Sequence, residues 1–284
     1  MYILVQIFMR NILILLCCAV TLFNGTSCKS RIEVQNADIS QGAVNPGCRV
    51  AQFVQQARMG HTEAYDSLAL CYRDGAGVKK SSANMMFMYM LSGKLKGNDI
   101  KDIIEAMKQD RIFPLLIDVL DHRRIEDVPR EAVEKLRRVS PADALIFDAV
   151  YALECENDTA KSEQLFLEAG VQGSDMAPVL HTVMYKHLKC PEKYEQNLRR
   201  YAEKYPIMYV ELGNISMQEN DEEHWMKAVE YYNLADQCGM LTPRGARNLS
   251  IAYRLLEKAG KMKCDPKEMA RLEMLGNRIV SVNQ

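Results

Sequence analysis

The stretch that most constrains the fold runs from Ala57 to Gly97 and reads as helix, glycine-punctuated turn, helix. Glu63 to Arg73 places Ala64, Leu68 and Cys71/Tyr72 at spacings of three and four, on one helical face. Asp74-Gly75 predicts the stop, because glycine takes the left-handed conformation of a helix C-cap without steric cost. Gly77 permits a second tight approach, and Val78 is then placed to fold back as an apolar plug. Ser81 or Ser82 is the expected N-cap of a second helix from Ala83 to Lys94. Neither helix is long enough to be stable alone, so each must bury a face against a neighbour.

The order Gly60, Ala64, Leu68, Tyr72, Gly75, Gly77-Val78, Tyr89 and Ser92-Gly93 resembles a Sel1-like repeat, a cousin of the tetratricopeptide repeat. Its structural turn residues are Gly75, Gly77 and Val78. The unit departs from the family pattern at Met85, Met86 and Met88, which replace the usual alanine and aromatic positions. The resemblance implies an all-α fold, a right-handed α-solenoid of stacked antiparallel helix pairs. The same turn, G-A-G-V-K-K-S, is not a phosphate loop, which needs four residues between its glycine and Gly-Lys-Ser/Thr.

Taken in order, residues 1–27 read as a signal peptide: the apolar run Ile12 to Phe23 follows Arg10, and Gly25-Thr26-Ser27 precedes Cys28. Lipoprotein processing would acylate Cys28 and tether the protein to a membrane; general cleavage would leave a soluble exported chain, and an uncleaved anchor is the third reading. Residues 28–45 are polar without period, a flexible tether. Residues 46–284 form the repeat domain, opened by the stripe Val50-Phe53-Val54-Ala57. The clearest repeat is 61–97. Segment 98–139 suggests three short helices, the last capped by Asp127, and is either an insertion or an eroded repeat. Repeats follow at 140–173, 174–205 and 206–239, with capping helices at 240–284. Tyr72, Tyr151, Tyr185 and Tyr253 are spaced by one or two units of roughly 34 to 40 residues.

The formal net charge is -1, with both signs mixed throughout. His122-Arg123-Arg124, Arg137-Arg138 and Arg199-Arg200 are short clusters that read as solvated helix surface, and no nucleic-acid partner is expected. The five histidines form no H-E-x-x-H, and His181 and His187 fall on different helical faces. Asp221-Glu222-Glu223-His224 reads as an acidic first turn. No C-x-x-C, G-x-S-x-G or G-x-G-x-x-G occurs. No catalytic, metal or cofactor residues are therefore assigned, and no cofactor is expected. Asn157-Asp158-Thr159 is a glycosylation sequon that reads equally as a helix N-cap.

Beyond the leader and Cys28, Cys48, Cys71, Cys155, Cys190, Cys238 and Cys264 remain as candidate disulfide cysteines, with fifteen possible connectivities. Contacts in a solenoid are local, so Cys48–Cys71, Cys155–Cys190 and Cys238–Cys264 are the natural pairs. Cys71 fits equally as a small buried hydrophobe beside Tyr72.

The resemblance implies a non-enzymatic scaffold of the cell envelope that binds a protein or peptide partner. The first helices of successive repeats would line a concave groove, here around Leu68–Arg73, Phe147–Ala152, His181–Lys186 and Leu249–Arg254. The alternatives are a cell-surface component of nutrient uptake or adhesion, and a hydrolase acting on cell-wall material.

Overall fold

The computed structural model describes residues 46–95, 100–109, 113–122 and 124–278. The expected signal peptide and tether, with Cys28, lie outside the described residues. Among the described residues there are fourteen α-helices: α1 Pro46–Arg58, α2 Thr62–Asp74, α3 Ser82–Ser92, α4 Ile100–Gln109, α5 Pro114–Leu120, α6 Arg130–Val139 and α7 Pro141–Glu154 come first. Then follow α8 Thr159–Val171, α9 Ala177–His187, α10 Pro191–Tyr201, α11 Ile207–Ser216, α12 Glu222–Gln237, α13 Pro243–Lys258 and α14 Pro266–Gly276. No strand occurs among the described residues, and the helices pack chiefly on their neighbours in sequence. The chain is all-α.

The turn between α2 and α3 forms as its residues dictate. Gly75 sits at φ 73° and closes α2 through its N–H to the Cys71 carbonyl. The Ser81 hydroxyl accepts from Asn84 N at 3.1 Å and caps α3. That helix ends at Ser92 rather than Lys94, because Gly93 turns left-handed and its N–H bonds back to Met90. Between α6 and its predecessor, Asp127 closes a 3-10 turn, Ile125–Asp127, instead of capping a helix; Pro129 occupies the cap position. Gly170 lies inside α8 against Pro178, so Gly173 alone ends that helix. At the sequon, Asp158 is the N-cap of α8, its carboxylate accepting from Lys161 N.

Neighbour-to-neighbour stacking does not account for every contact. The clearest repeat lies against the turns that join later helix pairs. Asp175, between α8 and α9, accepts from Ser81 Oγ and Ala83 N, both at 2.8 Å, so a residue from mid-chain caps α3. Asn84 donates to the Lys204 carbonyl between α10 and α11. Gly239, between α12 and α13, approaches Ala57, Leu68 and Val54. Arg278, past α14, reaches the carbonyls of Leu91 and Gly60 and lies 4.8 Å over the Tyr65 ring. Helices α2 and α3 thus run along an edge built from three inter-pair turns and Arg278 beyond the last helix. Consistent with this, α3 buries Ala83 through Tyr89 and Leu91, leaving no polar face.

A buried ionic group fixes α1 to the same edge. Asp236 of α12, 3% exposed, accepts from Arg58 at 2.8 Å and from Arg271 of α14 at 2.9 and 3.1 Å. Arg271 also donates to the Arg58 carbonyl and to Glu268. Every charge in the group has an opposite partner, as burial requires.

Candidate functional site

The first helices of the last three pairs, α9, α11 and α13, carry a connected row of polar side chains. Its centre is Glu211, the single acid within the apolar run of α11. Its carboxylate accepts from Tyr194 OH at 3.1 Å, Lys186 Nζ at 3.3 Å and Asn214 Nδ2 at 3.3 Å. Asn214 Oδ1 in turn accepts from Tyr232 OH at 2.8 Å and from Asn248 Nδ2 at 3.0 Å. Lys186 lies 5.4 Å over the Tyr194 ring, a cation–π contact that holds the ammonium at the row's edge. Burial pushes the Tyr232 hydroxyl well above its usual range, so it remains a neutral donor.

Local sequence explains this placement. Gly213 is a mid-helix glycine, normally unfavourable by about 1 kcal/mol relative to alanine. A Cβ there would stand 2.6 Å from the Tyr232 ring. The missing side chain lets α12 lie close enough for Tyr232 to reach Asn214. Lys186, Asn214 and Asn248 are half-buried, so their remaining donor and acceptor capacity faces partly outward.

The four segments expected to line one groove are placed differently from one another. Leu68, Ala69 and Cys71 are core, with Leu70 exposed. Tyr151 is exposed beside Phe147, ring centroids 6.2 Å apart. Residues 181–185 of α9 are buried, leaving Lys186 as their outward member. Leu249 and Ala252 are buried, while Ile251 and Arg254 are exposed. Helix α2 sits with α3 on the inter-pair turns and does not join the row formed by α9, α11 and α13.

No catalytic grouping arises from the histidines. His181 is buried against Phe166, with Nε2 3.2 Å from Tyr185 OH and Nδ1 without a partner. Burial holds its pKa down to about 4, against the opposing charge of Glu163. His187 is also shifted down by burial, and His224 bonds the Asp221 carboxylate that caps α12. Among the described residues, no three His, Cys, Asp or Glu gather as a metal would require. Of the basic clusters, Arg137 pairs with Asp148 at 2.9 Å and Arg199 with Glu195 at 2.6 Å.

Cys71, Cys155, Cys190, Cys238 and Cys264 are free thiols. No bond joins Cys155 to Cys190 or Cys238 to Cys264 among the described residues. The side chain of Cys48 lies outside the described residues. Burial raises the Cys71 and Cys238 thiols, which lowers the reactivity of both. Cys155 is pushed up to about 11 by burial and by Glu126.

Sequence reasoning did not single out Glu211, Asn214, Asp175 or Asp236. Glu211 had a usable signal, an acid alone among Ile, Met, Tyr, Val and Leu. Compared with known proteins, the chain matches no family model, no curated protein and no solved structure. No helix among the described residues is long and apolar enough to cross a membrane.

Proposed function

We propose that the protein is a non-enzymatic binding scaffold of Sel1-like, tetratricopeptide-like construction, taking a protein or peptide partner along the row on α9, α11 and α13. The observation that supports this most is the chain Lys186–Glu211–Asn214–Asn248, contributed by three successive first helices. Amide side chains repeated along one direction can exchange hydrogen bonds with an extended backbone, and Lys186 adds a cation for an acidic side chain. The leader-like residues 1–27 and Cys28 support export and anchoring of this scaffold to a membrane of the cell envelope through a lipid. Neither a cofactor nor nucleic acid enters this reading.

A photo-crosslinking amino acid placed at Asn214 or Asn248 in the native envelope tests the proposal. Val171, 88% exposed at the end of α8, serves as the control position. The expected result is one discrete polypeptide captured from the row and not from Val171, with capture reduced in a Cys28→Ser protein. Equal capture at all three positions, or none at the row, would overturn it.

A further inference from the structure

The exposed residues of α12, and those of α13 apart from the acid Glu257, fall in two narrow rows of opposite charge. At about 100° of rotation per residue, Arg244, Arg247, Ile251, Arg254 and Lys258 fall on one arc of α13, all exposed and without an acid among them. On α12, Glu222, Glu223, Met226, Glu230 and Gln237 fall on an arc of similar width, exposed and without a cation. Each row carries one large apolar side chain: Ile251, midway along α13, is 46% exposed, and Met226, one turn into α12, is 56% exposed.

Ordinary solvated helices look different. On α10, Glu192, Lys193, Glu195, Arg199 and Arg200 mix both signs, and Glu195 pairs with Arg199 one turn on. The rows do have in-chain partners at their margins: Arg254 pairs with Glu273, Glu222 with Lys261 and Glu223 with Lys227. All are solvent-exposed pairs, which bind weakly and exchange easily. Arg247, Lys258 and Glu230 have no ion pair among the described residues.

We propose that a second copy of this chain docks on these rows, the basic row of α13 lying on the acidic row of α12 in the other copy. The steps of three and four in the basic row, and Glu222, Met226 and Glu230 four apart in the acidic one, are ridges of the kind that interlock when helices pack, which places Ile251 and Met226 within the contact. Because one chain carries both rows on adjacent helices, the contact can be made reciprocally and close as a dimer. A helix of sixteen residues is about 24 Å long, so the paired faces fall below the size of a standard stable interface. The association is therefore weak, and it depends on salt.

The test is sedimentation of the full-length protein and of two charge-swapped versions, Arg247→Glu/Lys258→Glu and Glu223→Arg/Glu230→Arg. Expected are a dimer of the natural chain that weakens at least about tenfold between 50 and 500 mM salt, monomers for each swapped version alone, and dimers again when the two are mixed. Restoration on mixing excludes misfolding as the cause of the loss. A natural chain that stays monomeric at low salt, swapped versions that still associate alone, or a mixture that does not associate would each overturn the proposal.

Discussion

Helices α3 and α13 are built from opposite materials. Helix α3, S-A-N-M-M-F-M-Y-M-L-S, has no charged residue and is enclosed nearly all round. Helix α13, P-R-G-A-R-N-L-S-I-A-Y-R-L-L-E-K, buries one side and shows a basic row, bordered by Glu257, on the other. The first is recognisable as a repeat unit yet serves as core between distant parts of the chain. The second is a faint copy that keeps an open face. In this chain the clarity of a repeat does not measure how exposed its surface is.

The contrast can be broken most forcefully inside α3. Phe87→Ala, at a fully enclosed position, is expected to cost about 3–5 kcal/mol. Ile251→Ala on the open face should stay within about 0.5 kcal/mol. Urea unfolding of both proteins measures the difference, and similar losses would erase the distinction.

The seam that encloses the N-terminal helices comes next. Asp236→Ala leaves Arg58 and Arg271 without their shared carboxylate, and breaking such a buried group costs about 3–5 kcal/mol. Hydrogen exchange should accelerate selectively in α1 and α2; uniform acceleration across the chain would argue against a local seam. A smaller effect is expected from Asp175→Ala, which removes the cap supplied to α3 from mid-chain, about 1 kcal/mol. Its signature is faster exchange at the Ala83 amide, with α13 unchanged.

The smallest effect is a pH dependence outside both helices. Glu154, half-buried with Oε1 lacking a partner, has its pKa pushed up to about 7 by burial and by Glu126. Its folded value lies above the ordinary carboxyl value of about 4.3, so the folded chain binds this proton more tightly. The corresponding stability is complete below the unfolded value and declines as pH rises through 7. Glu154→Gln should flatten that part of the melting-temperature profile between pH 5 and 8. A profile identical to that of the natural chain would show that Glu154 does not titrate there.

Local features were legible in the residues. Gly75, Gly77, Ser81 and Asp158 act where their conformational and capping chemistry places them. The fate of α3 was also written there, since Met85, Met86 and Met88 leave the helix no polar side; a helix apolar all round must be enclosed. Treated as departures from a repeat pattern, those methionines conceal that conclusion. What could not be read was pairing at a distance. Asp175 stands beside Ser174 before a proline-bearing helix and looks like that helix's own cap. Ser174 Oγ does accept from Ala177 N, while Asp175 turns to a helix more than ninety residues earlier. Asp236 looks like any surface acid until Arg58 and Arg271 are brought to it. The polar row has the same character: Asn214 and Asn248 are ordinary residues until three helices align.

The Arg58–Asp236 contact also has a mechanical meaning. In an open stack, a pull on the first helix travels through every intervening pair before it reaches the last. Here α1 is joined directly to α12 and, through Arg271, to α14. Tension entering at Pro46 is therefore delivered to the far end of the chain at once, and the row on α9, α11 and α13 lies off that line of force.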